Sequence, residues 1–268
     1  MRSLEKPRHF SIFAGGAAIG TLGGLIGLGG AEFRLPLLIG LFRFGALEAV
    51  ILNKAMSLVV VAAALPFRNS GVPWRELAAH VGVIATLLSG SLIGAWHGAG
   101  WASRLNSKLL YRTISLALLG IAAALLSSHG ASAASAWLTG WQQTAAGCVA
   151  GYGIGIVAAL LGVAGGELLI PTIVLLFGVD IKIAGSLSLA VSLPTMLAGF
   201  GRYSRHQSFS VLGRQRRFIV LMAIGSIAGA FLGGQLLTLV TITTLSPLLA
   251  SILVISAIKI WRLSQQEQ

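Results

Sequence analysis

Two short stretches hold most of the chemistry this chain can offer. "LIGLGGAEFRLP" runs from Leu25 to Pro36, and "LLGVAGGELLIP" runs from Leu160 to Pro171. Each places glycines, a carboxylate and a proline inside an apolar run. The first has Gly27, Gly29, Gly30, Glu32 and Pro36; the second has Gly162, Gly165, Gly166, Glu167 and Pro171. Glycine permits positive φ and weakens a helix. Proline lacks an N–H and disfavours α conformation in the residue before it, Leu35 or Ile170. The pattern predicts a broken helix, with Pro36 and Pro171 in the first turn of the short helix that follows. A helix start leaves N–H groups unpaired at the positive end of its dipole, so two such starts would make an anion site. Close packing through small residues is the competing reading, but proline adds nothing to close packing.

The acids admit two roles. Burial disfavours a charged carboxyl, which would let Glu32 or Glu167 carry a proton. Alternatively, each accepts backbone N–H bonds at the start of its short helix. An ionised acid repels an anion, so an anion carrier needs the acid neutral or paired. Arg34 and Lys54 would supply positive charge, although Lys54 could instead snorkel to the cytoplasmic interface. Asn53 and Ser57 are four residues apart, hence on one helix face, as are Ser188 and Ser192. They would line the path, unless the serines only bond their own backbone. Pro194 would kink the second of these helices.

The elements that must position these residues come in two copies. One constant register aligns Glu32 with Glu167, Gly27 with Gly162, Gly30 with Gly165, and Pro36 with Pro171. Without a gap it also pairs Leu41 and Phe42 with Leu176 and Phe177, and Ser57 and Leu58 with Ser192 and Leu193. Further on, "GSLIGA" (Gly90 to Ala95) meets "GSIAGA" (Gly225 to Ala230). The glycines of these two stretches read as packing residues. The counterparts of Arg34 and Lys54 are Leu169 and Leu189, so the copies differ in charge. Two halves follow, 1–130 and 131–268. Each reads as five helical pieces: 10–29, 35–44, 46–67, 76–98 and 108–127 in the first, then 143–163, 170–179, 181–201, 217–238 and 245–262 in the second. The second piece of each half is too short to cross a hydrocarbon core of about 30 Å at 1.5 Å per residue.

The chain is 56% hydrophobic and 10% charged, with mean hydropathy +0.88. Too few polar side chains remain to cover a soluble surface, and apolar runs of about 20 residues recur. The fold class is all-α: a polytopic membrane protein of eight full spans plus two short segments. The net charge of +12 does not indicate nucleic acid, because the cations sit in gaps between apolar runs. The lipid bilayer is the expected surrounding. The link 128–141 has no Lys or Arg and is placed outside. Arg202, Arg205, Arg214, Arg216 and Arg217 place the loop 202–217 inside. Arg104, Lys108 and Arg112 mark another inside loop. Arg2, Lys6 and Arg8, with Lys259 and Arg262, put both termini in the cytoplasm. Five passes per half reverse the orientation, so the repeats are inverted, an arrangement common in secondary transporters. The basic, then apolar, N-terminus resembles a signal peptide, but removing it would truncate a repeat, so it is expected to belong to the mature fold.

The sequence offers little to an enzyme. Cys148 is the only cysteine, and His9, His80, His97, His129 and His206 lack metal-ligand spacing. No cofactor or metal is expected. There are no paired acids at working spacing, no nucleophile with a base and no Walker lysine. A passive anion channel is the nearest alternative to a carrier; a membrane-embedded enzyme is more remote. A homodimer is compatible with the sequence and not required by it.

The paired glycine–proline segments, the second reading "GVAGGELLIPTIVLLFGVDIKIAGSLSLAVSLPT", resemble the sulfite exporter TauE/SafE family over nearly the whole chain. The resemblance implies an inner-membrane transporter that exports sulfite, organosulfonates or related sulfur anions. The first copy departs from the usual pattern, with Ala31 in place of a third glycine and an added Arg34. The second has Ala164 at its first glycine.

Overall fold

The computed structural model describes residues 9–26, 30–68, 74–127, 138–236 and 242–266. Gly27, Gly29, the N-terminal cations Arg2, Lys6 and Arg8, and the boundary between the halves lie outside the described residues. The chain forms α1 (His9–Ile26), α2 (Ala31–Gly40), α3 (Ala46–Arg68), α4 (Trp74–Ala79), α5 (Val81–Ala102) and α6 (Ser107–Ser127). There follow α7 (Gly140–Leu161), α8 (Gly166–Phe177), α9 (Ile181–Tyr203), a 3-10 turn at Gln207–Ser210, α10 (Val211–Arg214), α11 (Arg216–Leu236) and α12 (Ile242–Gln266). Among the described residues there is no strand.

Among the described residues, four stretches are long and apolar enough to cross a membrane: Val81–Ala102, Gly140–Leu161, Ile183–Tyr203 and Arg216–Gly233. Their outer faces expose Ile93, Trp101, Val149, Val220, Ile224 and Phe231. Such a coat is a liability in water and is what lipid requires, because helices satisfy their backbone internally.

The short helices exist, but they begin earlier than the prolines suggest. Starts near residues 35 and 170 were expected; α2 begins at Ala31 and α8 at Gly166. Glycine, not proline, starts each one. Gly30 at φ 69 and Gly165 at φ 80 take the left-handed conformation that turns the chain into the helix. Pro36 and Pro171 are therefore the sixth residues of α2 and α8 rather than first-turn residues, and Leu35 and Ile170 stay helical. Each proline stands four residues after an acid. Its missing N–H removes the intrahelical donor to the carbonyl of Glu32 or Glu167. At about 15 Å and 18 Å, α2 and α8 are both well short of a bilayer core.

The long helices pack in pairs that are distant in sequence. α5 lies on α7, and α11 lies on α1. A Cβ at Gly90 would strike the carbonyl of Cys148, and one at Gly225 that of Phe13. Gly94 likewise meets the carbonyl of Tyr152, and Gly229 that of Ala17. From the partner helices, Gly151 approaches the carbonyl of Leu87, and Gly16 that of Met222. In each pairing both residues of the second contact are the repeat equivalents of those in the first. The "GSLIGA" and "GSIAGA" glycines thus bring backbones together, the packing role expected of them. α6 pairs with its own counterpart α12, and α3 with α9. The short helices are held inside this frame, α2 against α3 and α12, α8 against α9 and α7.

Candidate functional site

The break after α7 is a glycine-terminated helix end. Gly162 at φ 67 donates its N–H to Ala159 O at 3.1 Å, and Val163 donates to Ala158 O at 3.0 Å. This is the Schellman pattern. A side chain at Gly162 would strike the carbonyl of Val50, so the residue is needed for its φ and for the close approach of α3. Three side chains then converge on the last carbonyls of α7. Lys54 Nζ donates to Ala158 O at 3.2 Å, Tyr203 Oη to Ala159 O at 3.0 Å, and Asn53 Nδ2 to Leu161 O at 3.0 Å. A cation at the negative end of a helix is favourable. Lys54 is fully buried, so it does not snorkel; it caps α7. Gly199 makes room for it, since a Cβ there would lie 3.1 Å from Lys54 Cε.

The same Asn53 amide reaches the other break. Its second hydrogen goes to Ala31 O at 2.9 Å, at the start of α2. One side chain thereby ties the end of α7 to the beginning of α2, across the two halves. Ser192 does related work in the second copy, donating to Ala164 O in the loop before α8 at 2.7 Å. Ser188 bonds within its own helix, to Gly185 O at 2.8 Å. Ser57 is buried, and its hydroxyl has no partner among the described residues.

Glu32 and Glu167 are the second residues of α2 and α8. Both are buried, and their carboxyl groups meet. No group donates to either oxygen of Glu32 or to Oε2 of Glu167 among the described residues. Arg34 is fully buried and close enough to Glu32 for their charges to interact. Its Nε, Nη1 and Nη2 nevertheless lack hydrogen-bond partners, as does Asn53 Oδ1. Of the eleven buried side-chain atoms without a partner among the described residues, eight belong to Glu32, Arg34, Asn53, Ser57 and Glu167. Buried polar groups are ordinarily paired. Their concentration where the two breaks meet marks this centre as the place where a polar species would complete the structure.

Both breaks, the two acids, Arg34, Asn53 and Ser192 are thus brought to one region. Lys54 is turned to the end of α7, and Ser188 to its own backbone. Sequence reading missed Tyr203, Gly199, and the Ser91–Thr195 hydroxyl pair at 2.7 Å that links α5 to α9. A phenol at the end of an apolar span is the one signal that could have flagged Tyr203. The partners of Asn53, Lys54 and Tyr203 are all backbone carbonyls, which leave no trace in side-chain patterns.

Glu32, Arg34, Asn53 and Lys54 are each 0% exposed. Two cavities lie elsewhere: one of about 440 Å³ is bordered by His9, Arg216 and Val220, and one of about 280 Å³ by Ser115, Ala257 and Trp261. Among the described residues no three of His, Cys, Asp and Glu group to hold a metal ion.

The profile of the sulfite exporter TauE/SafE family matches residues 12–264. No curated protein and no solved structure matches. The match spans nearly the whole chain, and the chain belongs to this family, as a multi-pass membrane protein of transporter type.

Proposed function

We propose that this member of the family is a secondary transporter that exports a small sulfur-containing anion, sulfite or a close relative, by alternating access between two inverted halves. The observation that carries the reading is the closed charged centre. Both halves build it, α2 contributing Glu32 and Arg34, and α8 contributing Glu167. Glu32 and Arg34 are 0% exposed, and Glu167 is 6% exposed. An ion reaches such a centre only if the surrounding helices move, as a carrier requires and an open channel does not. Non-helical backbone at membrane depth is tolerated where it is buried or lines a path, and the two breaks meet that condition.

Eight full spans and two short segments, with residues 1–130 and 131–268 as oppositely oriented halves and both termini cytoplasmic, complete the proposal. The backbone contacts that recur at equivalent positions of the two copies support the repeat. The cations near Trp96 support the orientation: Arg202 and Arg205 stack over that ring at 5.1 and 5.4 Å, where α9 ends and the basic loop begins. The Arg34 fork suits an anion with several oxygens better than a point charge would. Lys54, already bonded to α7, contributes positive charge at longer range. No ATP motif is present, so the energy source is an ion gradient or the substrate's own.

The test is a flux panel in proteoliposomes with sulfite, thiosulfate, methanesulfonate and acetate. Saturable flux of one or more sulfur anions, with little for acetate, is the expected result. Single-channel currents would replace the carrier with a channel, and no flux of any of the four would overturn the reading.

A further inference from the structure

The two acids at the centre have a relation that neither break shows alone. Glu32 and Glu167 come from equivalent positions of the two repeats and meet carboxyl to carboxyl. Two carboxylates in contact repel one another. Among the described residues no donor meets hydrogen-bond geometry at either Glu32 oxygen or at Glu167 Oε2; each acid is eased only by its own backbone N–H, and Glu32 also by the Arg34 charge. A proton between the two groups removes the repulsion and supplies the missing donor.

We propose that Glu32 and Glu167 form one proton-binding site, holding a single proton shared between the two repeats, and that this proton travels with the transported anion. The coupling to transport rests on the reading above; the shared proton rests on the geometry of the pair.

Each charged or titratable group on the packed helices is engaged away from the pair or stands at a helix end. Among the described residues, Arg34 is the one cation that acts on the acids, through Glu32. On α3, Lys54 is bonded to Ala158 O and Glu48 is paired with Arg214. On α12, Lys259 lies against Gly40 at the far end of α2, and Arg262 is in the last turns. On α6, Arg112 stacks on Trp261, Tyr111 has bonds of its own, and Lys108 is at the start. On α7, Tyr152 contacts His97 and Cys148 contacts Ser89. On α9, Asp180 and Lys182 flank the start, Arg202 stacks on Trp96, and Tyr203 is bonded to Ala159 O. α1 carries only His9, at its first residue.

The formal charges give the proton a function. Glu32, Glu167 and Arg34 are the buried ionisable groups that act on one another at the centre. With both acids ionised they sum to a single negative charge, which repels an anion. With one shared proton they sum to zero, so the proton removes that repulsion. Proton and anion then bind as a neutral pair and leave as one. The pair also sits at two convergent helix starts, whose positive ends the remaining negative charge offsets.

The experiment is infrared spectroscopy of the full-length protein in nanodiscs near pH 7, with and without ¹³C-labelled glutamate. Solvent-facing glutamates are ionised at that pH, so a carboxylic-acid carbonyl band that shifts with the label reports the centre. The wild type is expected to show that band, and both Glu32→Gln and Glu167→Gln to lose it. In each variant the new amide can donate to the remaining carboxylate in place of the proton. No labelled band in the wild type overturns the proposal. A band that one of the two variants leaves unchanged also overturns it, because the proton then belongs to a single acid. Should a glutamine variant fail to fold, Glu32→Asp withdraws one carboxyl by a methylene; a shared proton requires the band to move, and an unmoved band refutes sharing. Anion flux without the band refutes the shared proton and leaves the transport reading intact. The band without flux of any anion in the panel does the reverse.

Discussion

Asn53 offers a test whose size can be worked from the structure. Its amide donates to Ala31 O at 2.9 Å and Leu161 O at 3.0 Å, and the residue is 0% exposed. Asn53→Ala removes both bonds and strands the buried carbonyl of Leu161, while Ala31 O keeps the intrahelical N–H of Leu35. Side-chain hydrogen bonds between membrane helices contribute about 0.6–1.7 kcal/mol each, so two give about 1–3 kcal/mol. Leaving Leu161 O unsatisfied places the loss in the upper half of that range, about 2–3 kcal/mol. At about 2–4 °C per kcal/mol for a chain of this size, the midpoint should fall by about 4–12 °C. The natural control is Ser188→Ala at the equivalent position, where the hydroxyl bonds only Gly185 O in its own helix; its midpoint should move by no more than about 2 °C. The assay is thermal unfolding followed by intrinsic tryptophan fluorescence in detergent, with both variants purified in parallel. Equal shifts for the two variants, or no shift for Asn53→Ala, would refute the claim that Asn53 ties α7 to α2.

Arg34→Leu installs the residue that the second repeat has at Leu169; because a buried unpaired charge is costly, the midpoint should hold or rise while saturable anion flux falls at least tenfold, both read on the same preparation. Lys54→Gln keeps a donor for Ala158 O and removes the charge, so stability should change by less than about 1 kcal/mol while the sulfite concentration for half-maximal flux rises several-fold. Gly94→Ala and Gly229→Ala should lower the unfolding midpoint together, because each Cβ would strike a backbone carbonyl, whereas Gly153→Ala, which faces open space, should hold or raise it. Reporter enzymes fused after Ser132 and after Arg214 should report opposite sides of the membrane; the same side for both would overturn the inverted topology.

The repeat in the sequence rests on Glu, Pro and Ser coinciding at one register, which chance rarely gives in apolar sequence; glycines paired by that register approach carbonyls that the same register pairs. The short helices were legible as elements but not in their starts. Proline was given the first turn, yet a left-handed glycine can begin a helix well before it, and a buried short helix tolerates an interior proline when the orphaned carbonyl lies at its first turn. The meeting of Glu32 with Glu167 could not be read from one chain, because it depends on how two segments far apart in sequence face one another. Lys54 shows the same limit. Its charge was visible, but its partner is the carbonyl of Ala158 at the end of α7, and backbone acceptors have no residue type. Arg34 was legible as the break in symmetry, and its buried guanidinium nitrogens have no hydrogen-bond partner among the described residues.

The measurement that bears most directly on the central claim is sulfite efflux from proteoliposomes, comparing the wild type with Arg34→Leu shown to be folded by its unfolding midpoint. The account predicts saturable efflux for the wild type, without unitary currents, and at least a tenfold loss in the variant. Wild-type vesicles that release sulfite no faster than empty ones, or a folded Arg34→Leu protein that transports at the full rate, would contradict it.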